Sequence, residues 1–134
     1  MVLGQRNCGE VVFKIDDDIS EVFICHCSIF RKSTSSNGIA VVVVDNVAFQ
    51  WMRGEYQVLT WKKTIGNWET LFCRVFGSTL PGINDESRMY VPAGLITNGD
   101  ESLKVVHNIW VDFKAVVDEI GDSGKQHRQA YKDK

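Results

Sequence analysis

Apolar side chains recur at every second residue through most of this chain, and that period constrains its fold more than any other feature. The clearest stretch is 105–111, where Val105, His107, Ile109 and Val111 fall on one side of an extended backbone. Such alternation predicts half-buried strands, and short turn-forming stretches interrupt it at close intervals. The sequence therefore predicts a mainly β protein of small antiparallel sheets with little helix. Strands are predicted at residues 11–15, 21–25, 39–44, 47–51, 56–61, 68–72, 88–91 and 105–111.

Only one stretch follows helical spacing, and it lies close to the C-terminus. Phe113, Val116, Val117 and Ile120 recur at intervals of one, three and four residues, which predicts a helical turn or two at 113–120. No repeat or linker divides the 134 residues, so we expect one domain over 1–134 with its core at about 4–120. The C-terminal tail is placed at 121–134, and we expect its short, interrupted basic part, Lys125–Lys134, to fray rather than to act as a binding arm.

Charge and hydropathy give no support to two large classes of partner. The formal net charge is −2, which offers no basic surface for nucleic acid or for an anionic membrane. No apolar run approaches the roughly 20 residues of a membrane helix, and residues 1–9 lack the apolar core of an export signal. We therefore expect a cytoplasmic protein whose cysteines stay reduced and serve metal or redox chemistry before disulfides.

The densest group of possible metal ligands is Cys25-His26-Cys27. Two thiolates two residues apart can both reach one zinc ion, at about 2.3 Å each, when the backbone turns between them. A strand would instead place both thiols on one face and His26 on the other. Since zinc takes three or four protein ligands, spacing alone leaves a zinc site and idle thiols both open. The other cysteines, Cys8 and Cys73, are isolated, and the histidines share no spacing that indicates a site.

Five segments, in order, resemble the motifs of the CENP-V/GFA domain family, the glutathione-dependent formaldehyde-activating proteins. The resemblance runs from about Gly4 to Tyr131, and its middle motif is the most specific. The matching pairs are GQRNCGEV from Gly4 with GxCxCGxV, CHCSIFRKS from Cys25 with CHCxxCRRxSG, FCRVFGS from Phe72 with FCxxCGS, AGL from Ala93 with AGxL, and NIWVDFK from Asn108 with HIWVxxK.

This resemblance implies a fold, two metal sites and an activity. The fold is the Mss4-like fold, in which small antiparallel sheets hold zinc between loops. One zinc site is structural and uses four cysteines of the first and third motifs, while the catalytic site uses the three cysteines of CHCxxC. The activity joins formaldehyde to glutathione to give S-hydroxymethylglutathione, which is formally a carbon–sulfur lyase reaction. Zinc is thus the implied cofactor, and glutathione or a small thiol adduct is the implied partner.

The chain departs from the family pattern at the structural site. Arg6 and Phe76 stand where the family has cysteines, so Cys8 and Cys73 are what remains of the four ligands. Arginine is a permanent cation that cannot ligate zinc, and phenylalanine offers no donor. The resemblance places Cys8 and Cys73 together, and we expect their sulfurs to face each other, as thiols or as a disulfide, within about 7 Å.

At the catalytic site the departure is Phe30, which takes the place of the third cysteine and leaves Cys25 and Cys27. We interpret Phe30 and Phe76 as apolar plugs that replace the cross-linking role of a metal with packing. A fully buried ring contributes roughly 1.5–3 kcal/mol, well below the roughly 10–16 kcal/mol of structural zinc in small fingers. Zinc is therefore expected to be absent or sub-stoichiometric.

Three functions follow from these residues. One is a carbon–sulfur lyase or glutathione-adduct handler reacting at Cys25 and Cys27, with Arg31-Lys32 beside them as either a carboxylate anchor or a solvated turn. The second is a non-catalytic binding module that keeps the fold without metal. Its binding surface would use exposed aromatic residues such as Trp51, Trp61 or Trp68, and an edge strand could pair with a second copy to form a homodimer. The third is thiol redox chemistry, disfavoured because no flanking helix is predicted to lower a thiol pKa.

Overall fold

Strands dominate the computed structural model, which describes residues 1–7, 9–62, 69–75 and 77–131. Within those ranges there are twelve strands and one α-helix, so the prediction of a mainly β fold is confirmed. The helix is α1 (Ser28–Thr34). The strands are β1 (Val2–Gln5), β2 (Val12–Ile15), β3 (Glu21–Cys25), β4 (Ile39–Asp45), β5 (Phe49–Arg53), β6 (Val58–Lys62), β7 (Glu69–Cys73), β8 (Gly82–Ile83), β9 (Arg88–Pro92), β10 (Ile96–Asn98), β11 (Lys104–Ile109) and β12 (Lys125–Gln126).

The described strands form three sheets. The first has the order β10-β1-β2-β5, the second β12-β11-β3-β4-β9-β8, and the third is the pair β6-β7. Every pairing is antiparallel except two, because β11 runs parallel to both β3 and β12. The larger sheet is therefore mixed, which the sequence did not predict.

Both faces of the six-stranded sheet are covered, and β4 shows this most clearly. Its even-numbered Val42 and Val44 enter a core shared with Phe13 and Ile15 of β2, while Ile39 and Val41 enter a second core. A strand buried on both faces is apolar at successive positions, which accounts for the unbroken run at 39–44.

The second core lies under α1 and positions the cysteine motif. Phe30 is the buried residue of α1 and joins Cys25, Ile39, Val41 and Tyr90 there. A seven-residue helix is not stable by propensity, so its burial against the sheet, rather than its sequence, holds it in place. The helix ends at Ser35, whose positive φ of 54° is the left-handed conformation typical of a helix C-terminus.

Two predictions about the C-terminal region are wrong. Residues 113–120 form no α-helix: a short 3-10 turn covers Val111–Phe113 only, and Val116 and Val117 are 98% and 82% exposed. The basic tail does not fray over its described residues. Lys125–Gln126 pairs with β11, and the backbone of residues 127–129 forms hydrogen bonds with the backbone of residues 108 and 110–112. The tail thereby covers the edge of the larger sheet.

No helix in the described ranges is long and apolar enough to cross a membrane.

Candidate functional site

The cysteine motif occupies a sharp change of structure. Cys25 is the last residue of β3, where it is buried between Ile39 of β4 and Ile109 of β11. Cys27 is the N-cap of α1 and is partly exposed. His26 carries the chain between them, and its backbone N–H donates to the carbonyl of Ile109 at 3.0 Å. The backbone turns between Cys25 and Cys27, and this turn brings the two thiols together. Such a turn is the predicted condition for both thiols to reach one metal ion.

The two thiols share a hydrogen bond, and it separates their acidities. Donation from Cys25 lowers the pKa of Cys27 to about 6, and the backbone amides of Phe30 and Ile29 and the charge of Arg31 lower it further against the opposing effect of burial. The same hydrogen bond and burial raise the pKa of Cys25. Because the sulfurs titrate as a pair, the first proton lost leaves a charge on Cys27, with the thiol of Cys25 facing it. The redox argument that no helix flanks the thiols is wrong, since α1 begins directly after Cys27.

On the side that faces the six-stranded sheet, the thiol pair packs against apolar side chains. Phe30, at the position of the family's third cysteine, meets the ring of Tyr90 edge-on, with ring centroids 5.4 Å apart. Trp110 packs against the same cluster with a backbone φ of 57°, which is costly for a residue other than glycine. The structure therefore brings Cys25, Cys27 and Phe30 together.

His26 is buried and directed into a polar network of its own. Its Nε2 lies 2.9 Å from Oδ1 of the fully buried Asn108, and its Nδ1 lies 3.3 Å from a carboxylate oxygen of Asp118. Asn108 in turn donates to Asp122 at 2.8 Å and to the carbonyl of Gly124 at 3.4 Å. Because both acceptors fix its amide, Oδ1 is the atom that faces His26. The network ties the cysteine motif to the C-terminal segment.

These donors do not fit a zinc ion of the family type. Zinc requires three protein ligands for catalysis and four for a structural site. Cys25 and Cys27 supply two, Phe30 packs beside them without a donor atom, and the two ring nitrogens of His26 face Asn108 and Asp118. Within the described residues, no group of three or more His, Cys, Asp or Glu side chains is arranged to hold a metal.

A cleft of about 400 Å³ opens on the exposed side of α1. Ser28 and Ile29, the two residues after Cys27, line it from the start of the helix, and Lys32 and Ser33 line it one turn later. The opposite wall consists of Trp61 of β6, Thr70, Leu71 and Phe72 of β7, and the nearby Gly77 and Thr79. Among the described residues, the lining of the cleft thus combines the ammonium of Lys32 and several hydroxyls with an apolar wall.

The two basic residues after the motif have separate surroundings. The side chain of Arg31 donates from Nε to the carbonyl of Phe113 at 3.1 Å. Lys32 is exposed and lines the cleft. Of the aromatics considered for a surface, Trp61 is 52% exposed at the cleft, Trp51 packs against Phe13 and Phe49, and Trp68 lies outside the described residues.

The other cysteine region is described only in part, since Cys8 and Phe76 lie outside the described residues. Their proximity to Cys73 and Arg6 therefore stays a prediction. Cys73 is 0% exposed and packs with Val11 and Leu80. Arg6 is buried, with its guanidinium 3.7 Å from the carboxylate of Glu10, and its backbone N–H donates to the carbonyl of Val11.

Sequence reasoning missed a second pair of polar side chains. His107 Nδ1 and His127 Nε2 lie 2.8 Å apart, and the ring of Tyr131 packs on His107 with centroids 4.2 Å apart. Partial burial and the neighbouring His107 and Lys125 lower the pKa of His127. Only the parallel pairing of β11 with β12 brings these residues together, and no local spacing could have indicated it.

Comparison with known proteins gives one family and one fold. The sequence matches the family model described as glutathione-dependent formaldehyde-activating enzyme over residues 1–112. No curated protein matches the chain. Among the solved structures that match is a crystal structure of a Rhodobacter sphaeroides protein, a structural-genomics target. It is 14% identical, the match covers 72% of this chain and 88% of that chain, and the TM-score is 0.57. At that identity the likeness concerns the fold alone.

Proposed function

This chain belongs to the glutathione-dependent formaldehyde-activating enzyme family, and from that premise we propose that it binds hydroxymethyl adducts of glutathione-class thiols beside Cys27. We further propose that Cys27, rather than a zinc-held thiolate, exchanges the hydroxymethyl group. The observation that carries the proposal is the position of the cleft, whose lining begins at Ser28 and Ile29, directly after Cys27.

The lining of the cleft suits a small, acidic, peptide-like thiol. Lys32 provides an exposed ammonium for a carboxylate, and the hydroxyls of Ser28, Ser33 and Thr79 are partners for amide groups. Leu71 and Phe72 supply apolar contact, as is usual for a ligand cleft with few polar groups. Arg31, held by the Phe113 carbonyl, acts on the charge of Cys27 and is not an anchor for the ligand.

The exchange needs no additional reactant. The Cys27 thiolate forms a bond to the hydroxymethyl carbon, the bond from that carbon to the thiol's sulfur breaks, and its electron pair leaves with that sulfur as a thiolate. One carbon–sulfur bond replaces another, and the total charge is unchanged. The thiol of Cys25 remains the hydrogen-bond donor that keeps Cys27 ionised near neutral pH.

Exchange spectroscopy on ¹³C-labelled S-hydroxymethylglutathione, with chelator-treated protein, tests the chemical step. We expect accelerated exchange and a mass increase of one CH₂O unit on Cys27. Cys27→Ser removes both effects, and Cys73→Ser, a buried thiol elsewhere, leaves them unchanged. Exchange that survives Cys27→Ser, or that needs added zinc, contradicts the proposal.

Binding is measured separately with S-methylglutathione, which carries no transferable group. We expect Lys32→Ala to weaken binding about tenfold, as for the loss of one charged contact, while Cys27→Ser leaves it nearly unchanged. The donor set, with Phe30 in place of a ligand, specifically favours one alternative, a non-catalytic binding module. That alternative holds if S-methylglutathione binds and no exchange occurs. Failure to bind S-methylglutathione contradicts both.

A further inference from the structure

We propose that the outer edge of β6 (Val58–Lys62) pairs antiparallel with the same edge of a second copy of this chain, so that two β6-β7 ribbons form one four-stranded sheet. The inference rests on the strand pairing, exposure and charge of this ribbon, and it does not depend on the proposed function.

Within the described part of the chain, one edge of β6 has no strand partner. β6 pairs with β7 in a regular register from Val58 with Cys73 to Lys62 with Glu69, and no other described strand joins this sheet. The outer edge of β7 is covered, because the backbone of residues 71 and 73 hydrogen-bonds to that of residues 80 and 78. A two-stranded ribbon is at best marginally stable in water, and an unpaired edge is a template for another strand. The ribbon therefore gains both strands and hydrogen bonds by pairing through β6.

The side chains of β6 are exposed on both faces of the ribbon. Residues 59–62 are all exposed, and they include Leu59 at 43% and Trp61 at 52%. Alternate residues of a strand share a face, so Leu59 and Trp61 form an apolar row beside the free edge. The strand contains no proline, and its one charged residue, Lys62, stands at its end. The devices that usually protect an edge are therefore missing from the centre of β6.

The sequence of β6 is complementary to itself in an antiparallel pair. All five residues are paired only when a two-fold axis passes the middle residue, Thr60, which is the symmetry of most homodimers. Leu59 then faces Trp61 of the partner copy, and by symmetry this contact occurs twice. Thr60 faces its own counterpart at the axis. Aromatic–aliphatic and threonine–threonine pairs across strands are both favourable.

The charges at the two ends of β6 also favour a second copy as the occupant. Glu55 begins the short helical turn directly before β6, and Lys62 is the last residue of the strand. Antiparallel pairing brings the acidic start of one strand to the basic end of the other and keeps the two lysines at opposite ends. A parallel pair would place like charges together at both ends. A neutral extended peptide would gain the backbone hydrogen bonds without this complementarity.

This pairing would also extend the cleft beside α1. The two-fold axis is perpendicular to the joined sheet, so equivalent faces of both ribbons lie on the same side of it. Trp61, which lines the cleft, would have Leu59 of the partner copy beside it. The partner copy thereby adds an apolar residue next to the cleft wall.

Sedimentation velocity of the full chain over a concentration series tests the surface. We expect a reversible dimer. Thr60→Lys places two ammonium groups opposite each other at the axis, and it should weaken dimerisation at least about tenfold. Met52→Lys adds the same charge at a 52% exposed position of β5, an edge strand of the first sheet, and should leave dimerisation unchanged. Circular dichroism establishes that each variant is folded.

Disulfide formation tests the register of the pair. At the axis the two Thr60 Cα atoms would lie about 4.5–5.5 Å apart, which a disulfide spans, so Thr60→Cys should give linked dimers on mild oxidation. Lys62→Cys, also at an exposed position of β6, would be displaced from its counterpart by four residues, roughly 13 Å, and should link far less. Peptide mapping by mass spectrometry separates these links from links through the native cysteines.

Three results would overturn the proposal. A chain that stays monomeric at every concentration would assign the edge of β6 to a different occupant. Loss of the dimer in Met52→Lys but not in Thr60→Lys would place the interface elsewhere. Linking of Lys62→Cys as fast as Thr60→Cys would exclude the two-fold pairing about Thr60.

Discussion

The two cysteine-bearing regions of this chain depart from the same family pattern, yet the described thiols have opposite surroundings. At Cys27 the chain leaves a strand and enters a helix, so the sulfur lies partly exposed beside backbone amides and an arginine. Cys73 ends β7 in the interior, fully buried between Val11 and Leu80. The absence of a family cysteine therefore does not by itself determine whether the remaining thiols are reactive or buried. Their position in the fold decides whether they become reactive groups or small core residues.

The largest expected effect tests whether packing has replaced a metal in the first region. Phe30→Ala should lower the free energy of unfolding by about 3–5 kcal/mol, because it removes a buried ring that holds α1 against Tyr90. Denaturant unfolding measures this value. Phe113→Ala, which truncates a half-exposed ring, is the control and should stay within about 0.5 kcal/mol. A cost below about 1 kcal/mol for Phe30→Ala would show that the ring does not stabilise the site.

Arg6 provides the corresponding test in the second region, with a smaller expected effect. Its side chain is fully buried, so Arg6→Ala loses packing as well as charge and should cost about 2–3 kcal/mol. Arg6→Met keeps most of the volume and removes the charge. Since the carboxylate of Glu10 is more than half exposed, it is not left as a buried charge, and Arg6→Met should cost less than Arg6→Ala. Equal costs for both variants would assign the stabilisation to the charge instead of the packing.

The strands were predictable because their signal is local, whereas the helices were not. Alternation identified β2, β3 and β4 closely, since each alternates or is buried on both faces. It missed β1, where Gly4 lies under the ring of Phe13, which leaves no room for a Cβ. It also missed α1, whose seven residues are held by one buried ring. Helical spacing at 113–120 was misleading because Val116 and Val117 are exposed and pack against nothing in the described core, while Lys114 Nζ donates to the carbonyl of residue 118.

The site was predictable only as far as its motif extends. Cys25, Cys27 and Phe30 pack in one cluster, as expected for residues that lie within six positions of each other, and their role as the remnant of a site stays a prediction. The partners of His26 come from residues 108 to 124, beyond any local pattern and partly beyond the matched residues 1–112. The lowered pKa of Cys27 also escaped prediction, since it depends first on a hydrogen bond from Cys25 and then on the amides of Ile29 and Phe30 in a helix that the sequence did not reveal.

Alkylation by iodoacetamide compares the two regions directly and carries the smallest of the three effects. Cys27 should react at least about tenfold faster than Cys73 at neutral pH, because Cys73 is reached only through local opening. The Cys27 rate should rise with pH and reach half its maximum near pH 6, since the thiolate is the reactive form and the pKa of Cys27 is about 6. Peptide mapping by mass spectrometry follows each cysteine separately.

Variants at Cys25 then identify what sets that midpoint. Cys25→Ala removes the thiol donor and should move the midpoint upward, toward the value of an ordinary cysteine near 8.5. Cys25→Ser keeps a hydroxyl donor at the same position and should move it less, and Cys73→Ala should not move it at all. If Cys25→Ala leaves the midpoint near 6, the helix amides and Arg31 are sufficient. The contrast between the regions would then depend on α1 alone, and the thiol pair would not be the source of the reactivity.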